Sequence, residues 1–314
     1  EILIGLVGSE MCIRDRMENE IILTVFTPAY NRAHTLHRCY ESLCRQKCKQ
    51  FKWLIIDDGS SDNTKELVES WLKEDSGFEI IYHYKENGGM HTAHNAAYQL
   101  IDTELNVCID SDDYLADDAA EKIITFWKKY GSNKYAGIIG LDADFNGKII
   151  GKRFPKDLKS TTLSGYYQAG GSGDKKLVYR TDVIIKYPEY PVFEGEKYVG
   201  LNYKYLLCDQ EYELLVMDEI LCNVEYQADG SSANMFRQYL NNPKGFAFLR
   251  TVYMKYDKTF KRKFMNCIHY VSSSIISKNK RFLKESPEKG LTILAIPFGI
   301  ALTFYIKQQV KKMN

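Results

Sequence analysis

The chain has 314 residues, 45% of them hydrophobic and 26% charged, with a formal net charge of +1. That balance excludes a disordered, collagen-like or disulfide-stapled polypeptide and fits one large domain with an appendage, or two small domains. Eight cysteines at irregular spacing read as reduced, mostly buried thiols. Cys44 and Cys48 can share a helical face, but no further Cys or His completes a zinc site.

Leu6 to Asp15 reads LVGSEMCIRD, the translation of one frame of a common transposase sequencing adapter. Residues 1–16 are therefore set apart from fold reasoning, with Met17 as the expected start. A signal peptide would need a positive first region and an uncharged core, which this segment lacks.

Ile21 to Phe26 reads as a first strand, apolar apart from Thr24 and therefore buried on both faces. The turn Thr27-Pro-Ala-Tyr-Asn31 follows, then a helix over 33–45. A second strand, Phe51 to Ile56, ends in Asp57-Asp-Gly-Ser-Ser-Asp62. Asn63 with Glu66 has the spacing of a capping box for a helix reaching Lys73. A third strand covers 78–84, and Glu86-Asn-Gly-Gly89 breaks the chain before a helix over 91–101. Leu105 to Ile109 is a fourth strand, and Asp118 with Glu121 caps a helix running to Tyr130. This βαβαβαβα order predicts an α/β fold, a doubly wound and mainly parallel sheet of Rossmann-like type with right-handed crossovers. Ligands of such sheets gather beyond the carboxyl ends of the strands, where every polar motif named so far falls.

Beyond Tyr135 to Leu141 the pattern becomes mixed. Ala169-Gly-Gly-Ser-Gly-Asp174 and Ala228-Asp-Gly-Ser-Ser232 read as mobile loops able to close over ligands. Arg153 and Arg180 are phosphate-partner candidates, or plain surface charges. From Thr251 onward thirteen Lys or Arg face three acids, a local net of +10. The basic helical extension, 241–314, ends in sixteen uncharged residues, Leu291 to Ile306. As a helix these span about 24 Å, short of a bilayer's roughly 30 Å, and Pro297 and Gly299 interrupt them. A peripheral anchor on an anionic membrane, at the inner face of the plasma membrane, fits better than a full span. A terminal helix buried on the catalytic domain is the competing reading. Nucleic acid is not expected, since no recognised binding fold accompanies the charge.

Asp110, Asp112 and Asp113 crowd the end of the fourth strand. Such carboxylates suit a hard divalent cation, Mg²⁺ or Mn²⁺, whose remaining shell a nucleotide diphosphate would fill. Without that context, Asp112 or Asp113 would simply open the following loop.

Taken together, Thr27-Pro-Ala-Tyr-Asn31, Asp57-Asp-Gly-Ser-Ser-Asp-Asn-Thr64, Glu86-Asn-Gly-Gly89 with Ala93 to Asn95, and Asp110-Ser-Asp-Asp113 resemble the family 2 glycosyltransferases of GT-A fold. The resemblance is close over 20–130 and weaker to about residue 230. It implies a domain over 17–240, with 17–130 binding nucleotide and 131–240 serving the acceptor and catalysis. It also implies a nucleotide-sugar donor, a UDP-sugar first, and a glycan or lipid-linked glycan acceptor, in polysaccharide, capsule or cell-wall assembly in the cytoplasm. Thr27, Pro28, Tyr30 and Asn31 would line the nucleotide with Asp57, Asp58, Gly59, Asn87, Gly88 and Gly89. Asp110 and Ser111 would approach the ribose, and Asp112, with Asp110, would ligate the Mn²⁺ or Mg²⁺.

The family's catalytic base falls in an acidic motif, often Glu-Asp. Here the match is Phe193-Glu-Gly-Glu-Lys197, with Lys197 where Asp is usual. Glu196 is the first candidate base and Glu194 the second; attack opposite the leaving group would invert the sugar. Two further departures are His94 where many relatives carry Arg, and Ala97 where they carry Gly. His91 and His94 share a helical face and read as surface or supporting residues. The alternatives are a degenerate sugar-nucleotide-binding module and a haloacid dehalogenase type phosphatase, whose pattern would want Thr or Val where Tyr114 stands.

Overall fold

The computed structural model describes residues 21–225 and 234–313. The adapter-like segment and Ala228 to Ser232 lie outside these residues. The described residues form two compact units, one from 21–87, 96–187 and 208–225, the other from 88–95, 188–207 and 234–313. The expected divisions at 130 and 240 do not coincide with these limits, because 188–207 belongs with the C-terminal helices.

The first unit is built on one sheet. Its strands are β1 (Leu23–Ala29), β2 (Phe51–Asp57), β3 (Glu79–Tyr84), β4 (Leu105–Cys108), β5 (Tyr114–Leu115), β6 (Tyr135–Ala143), β7 (Ser160–Thr161), β8 (Lys175–Arg180) and β9 (Glu213–Asn223). They lie in the order β3-β2-β1-β4-β8-β6-β9-β5, with β7 on β9. β3, β2, β1 and β4 are parallel, as their apolar runs and intervening helices predict. β8 is a departure: it runs antiparallel between β4 and β6.

The helices of this unit are α1 (Ala33–Cys44), α2 (Thr64–Trp71), α4 (Ala119–Tyr130), α5 (Leu163–Gln168) and α6 (Thr181–Ile184). α1 buries Leu36, Cys39, Tyr40 and Leu43, the spacing of one helical face. Tyr40 stacks on Trp71 at 4.3 Å and on Trp53 at 6.0 Å, so aromatic packing pins α1 and α2 to the sheet; each ring pair adds about 1 kcal/mol beyond its buried area.

The expected helix caps are placed correctly but bonded differently. Asn63 and Asp118 stand at N-cap positions without a side-chain capping bond. Asp62 takes over: its carboxylate accepts from Thr64 N at 3.1 Å and from Ala33 N at 3.1 Å, holding the starts of α2 and α1 together. Burial alone would raise its carboxyl, but these donors, led by the Thr64 hydroxyl, hold it below the usual range. Asp118 pairs with Lys122 instead.

The 169–174 loop is tied to its neighbours by side-chain hydrogen bonds. Lys175 Nζ donates to the carbonyls of Ile150, Ser172 and Asp174 at 3.0–3.2 Å. A Cβ on Gly173 would stand 2.2 Å from the Ile150 oxygen and one on Gly171 2.5 Å from the Tyr166 ring, whereas Gly170, at φ +88, meets nothing within 4 Å. Arg153 pairs with Asp218 at 2.9 Å and Arg180 with Asp182 at 2.6 Å. Both guanidinium groups are thus engaged within the unit.

The second unit includes the start of α3 (Met90–Leu100), then α7 (Asn202–Cys208), α8 (Met235–Asn241), α9 (Pro243–Tyr256), α10 (Phe260–Ile276), α11 (Phe282–Glu285) and α12 (Lys289–Met313). Ala247, Met254, Cys267, Tyr270, Val271 and Ala295 form its core. α12 lies on α10, with Gly299 against Val271 and Thr303 Oγ1 3.0 Å from Ser272 Oγ. It runs unbroken through Pro297 for 25 residues, about 37 Å. The break expected at Pro297 and Gly299 is therefore not seen, while the uncharged stretch stays sixteen residues long; the helix that carries it is long and apolar enough to cross a membrane by length and composition, and 28% of its apolar window is buried.

Candidate functional site

Register brings the first motifs to one edge. Ala29, Asp57 and Tyr84 are successive partners across β1, β2 and β3, so the three strands end level. Asn31, at φ 54, is the clasp between the first two loops. Its side-chain oxygen accepts from Ser61 N at 2.8 Å, and its own N–H donates to Ser60 Oγ at 2.9 Å. Asp57 is similarly occupied, accepting from Ser60 N at 2.8 Å and from the Tyr82 hydroxyl at 2.6 Å. Burial, then the Asp57 carboxylate, pushes the Tyr82 hydroxyl well up. Thr27 is fully buried and accepts from Trp53 Nε1 at 3.0 Å, while Pro28 is buried within β1. Tyr30, by contrast, is 48% exposed. Of these candidates Tyr30 presents a ring to solvent, and the others shape the loops beneath it.

Asp58 is buried and ion-paired with Lys85. Asn87 Nδ2 donates to the Asp58 carbonyl at 2.8 Å. Gly59 has φ +81, and a Cβ there would fall 2.6 Å from Asn87 N. Asp57–Gly59 and Asn87 thus form one cradle at the second strand end.

At β4 the acidic triplet divides. Asp110 is exposed and Asp112 half-buried, while Ser111 and Asp113 are buried. Asp113 turns inward and accepts from Glu225 N at 3.3 Å. Burial pushes its carboxyl up to about 8, against the pull of Lys176. Lys176, from the unexpected antiparallel strand, reaches beneath the cluster, with Nζ 3.4 Å from the Cys108 carbonyl. Burial would lower it, but the field of Cys222, Asp142, Asp113 and Asp110 holds it charged. Asp142 is pushed up to about 6 by burial, and its Oδ1 has no hydrogen-bond partner among the described residues. Sequence reasoning missed both residues; the trace of Lys176 was a lysine pair opening the strand Lys175–Arg180.

No group of three or more metal-type ligands stands preassembled among the described residues. A set of two accessible carboxylates, Asp110 and Asp112, still fits an ion that keeps one or two protein oxygens and fills its shell with phosphate and water.

In the second unit, Gly89 at φ +94 packs on the Lys197 carbonyl so closely that a Cβ would lie 2.0 Å from it. Gly88 is held against Thr92 in the same way, at 2.5 Å. Glu196 is 8% exposed, and its two oxygens accept from Lys244 N and Gly245 N, each at 2.9 Å. It therefore holds the N-terminus of α9 by charge and hydrogen bonding. Glu194 is exposed, and its backbone carbonyl rather than its carboxylate receives Lys244 Nζ, at 3.2 Å. His91 and His94 are buried, which rules out the surface alternative and leaves the supporting one. Burial, then His91 and Lys204, takes the His94 imidazole down to about 3, leaving a neutral ring.

The sequence profile of Glycosyl transferase family 2 matches residues 24–184, and the chain belongs to that family. Hyaluronan synthase of Pasteurella multocida is 34% identical over 110 residues, 35% of this chain and 11% of the synthase. The chain spans well under half the length of the curated relatives it matches. Among solved structures, S. aureus TarS 1–349 in complex with UDP-GlcNAc superposes with a TM-score of 0.57 at 18% identity, covering 87% of this chain and 79% of that one. The mannosyltransferase PcManGT of Pyrobaculum calidifontis, in complex with GDP-Man and Mn²⁺, gives 0.53 at 14% identity, covering 90% and 74%. The fold is of GT-A type, and the phosphatase alternative falls with the family assignment.

Proposed function

We propose that this protein transfers a sugar from a nucleoside-diphosphate donor, a UDP-sugar first, to a hydroxyl of a glycan or lipid-linked glycan acceptor, with inversion, in polysaccharide or cell-wall assembly. The observation that carries this reading is the cradle of Asn31, Asp57–Gly59 and Asn87 on the same sheet edge as Asp110 and Asp112, in a family 2 frame. The UDP-GlcNAc held by TarS and the GDP-Man and Mn²⁺ held by PcManGT support the donor class.

Tyr30 offers its exposed ring to the base, and the Asp57–Asp58 backbone, fixed by Ser60, Ala29 and Asn87, gives the nucleoside a rigid floor. Asp110 and Asp112 would hold Mn²⁺ or Mg²⁺, which when bound supplies Lewis-acid stabilisation of charge growing on the leaving diphosphate. Lys176 keeps Asp113 and Asp142 from adding uncompensated negative charge behind that pair. Taking the acceptor's proton falls to the Phe193–Lys197 segment. Glu194 has the free carboxylate there, while Glu196, with both oxygens on amides, keeps the segment in shape.

UDP should raise the melting temperature only with Mn²⁺ or Mg²⁺ present, and Asp112→Asn should remove that shift. A screen of nucleotide sugars reading released UDP names the donor. UDP stabilisation equal in EDTA and in Mn²⁺ would refute the metal assignment; binding without turnover on any donor would favour the degenerate module.

A further inference from the structure

Where α9 turns into α10, the helical unit opens a cavity of about 440 Å³, lined by Arg250, Tyr253, Asp257, Lys261, Arg262 and Asn266 beside Met265. The lining holds three cations and one acid, a net charge of +2. Arg262 reaches Asp257 only at 3.9 Å, and Lys261 enters no ion pair among the described residues. Both stand in the first turn of α10, which contains no acid, so the helix dipole adds to the positive field there. The remaining acids of the chain from Thr251 onward are Glu285 and Glu288. They pair with Arg281 at 3.5 Å and with Lys263, so neither neutralises the cavity.

Asn266 fixes this arrangement before any ligand arrives. It is 8% exposed; its Oδ1 accepts from Arg250 Nη1 at 3.0 Å, and its Nδ2 donates to Asp257 at 2.6 Å. The Arg250 guanidinium lies 5.9 Å from the Tyr253 ring, and its Nε is buried with no hydrogen-bond partner among the described residues. The Asn266 bond uses one of the five guanidinium donors, so a charged group is held in place with bonding capacity left over. Like charges gathered round one cavity repel until an anion compensates them.

We propose that this cavity binds a small phosphate monoester, its terminal phosphate held between Arg250, Lys261 and Arg262. Such a group carries about −1.5 to −2 charges at neutral pH, which matches the excess in the lining. A diester carries one negative charge and would leave a cation uncompensated. Guanidinium forks meet phosphate oxygens in pairs, and here they come from two helices, Arg250 from α9 and Arg262 from α10. The Tyr253 ring and Met265 give the organic remainder of the ester an apolar wall. This site lies wholly within the helical unit and stands whether or not sugar transfer is the activity.

The test is isothermal titration calorimetry of the full chain with glycerol 2-phosphate (a monoester), dimethyl phosphate (a diester) and inorganic phosphate. EDTA is present throughout, so that no metal at the sheet edge contributes. One site for the monoester is expected, about tenfold tighter than for the diester, the worth of one charge-assisted bond. Lys261→Gln and Arg262→Gln should each weaken it by about tenfold without lowering the melting temperature, since each removes a cation from the positive end of a helix. Asp257→Asn keeps an acceptor for Asn266 but removes the one acid, and should tighten binding several-fold (roughly the reverse of losing a cation). No heat with the monoester at millimolar concentration, equal affinity for the diester, or wild-type affinity in both glutamine variants would overturn the site. Inorganic phosphate bound as tightly as glycerol 2-phosphate would overturn the ester in favour of the free ion.

Discussion

Replacing Glu196 separates a structural carboxylate from a catalytic one. In Glu196→Ala the amides of Lys244 and Gly245 lose a partner that each met at 2.9 Å, inside a site that is 8% exposed. Each charge-assisted bond is worth about 1.5–3 kcal/mol, and water entering the vacated space recovers part of the loss, so about 3 kcal/mol is expected. For a domain of this size that lowers the melting temperature by roughly 6–12 °C. Glu196→Gln keeps one acceptor oxygen but turns an amide donor towards a backbone N–H, and should lose about half as much. Calorimetry and urea unfolding measure this, and UDP release at saturating donor measures turnover beside it. Removal of a positioned general base slows the reaction by about 10²–10⁴-fold. That loss is expected of Glu194→Gln, whereas Glu196→Gln should lose less than tenfold and melt earlier. Glu196→Ala melting within 1 °C of wild type (a shift of well under ~1 kcal/mol) while turnover disappears would refute the structural role of Glu196.

Three further outcomes follow from the same contacts. Gly89→Ala must place a Cβ 2.0 Å from the Lys197 carbonyl at φ +94; conformational strain of about 1–2 kcal/mol plus the clash should leave little folded protein, and soluble, wild-type melting behaviour would contradict it. Lys176→Met strips the buried counter-charge from Asp142 and should destabilise by up to about 3–5 kcal/mol in urea unfolding at neutral pH; a neutral result would show that carboxyl to be protonated without it. Asp142 titrates near 6 in the fold against 3.8 in the unfolded chain, so the native state holds the extra proton between those values. Its contribution is therefore complete below about pH 4 and lost as pH rises through 6, by up to about 1.4 kcal/mol per pH unit. In Asp142→Asn that slope should flatten, and a pH 4–6 stability profile identical to wild type would refute it.

The parallel core was legible because its signals are local. Leu23–Ala29 and Phe51–Asp57 announce themselves by continuous apolar runs, and α1 by burial at Leu36, Cys39, Tyr40 and Leu43. The motifs at strand ends follow from that order, since parallel pairing leaves all carboxyl ends on one edge. Helix caps were less legible. Asn63 had the right spacing, yet Asp62 does the bonding, because one carboxylate at that point reaches two helix starts.

The chain's local chemistry determined that it would wind parallel strands and helices and bring Asp57, Asn87 and Asp110 to their carboxyl ends, since periodicity and turn residues act over a few positions. Tertiary structure alone decided that β8 enters antiparallel and sets Lys176 beneath the aspartates, that Glu196 fastens a helix forty-eight residues on at Lys244, and that Gly89 lies against Lys197. Those pairings join segments far apart in sequence, so no window of residues contains both partners, and only the closed fold brings their charges and backbones within reach.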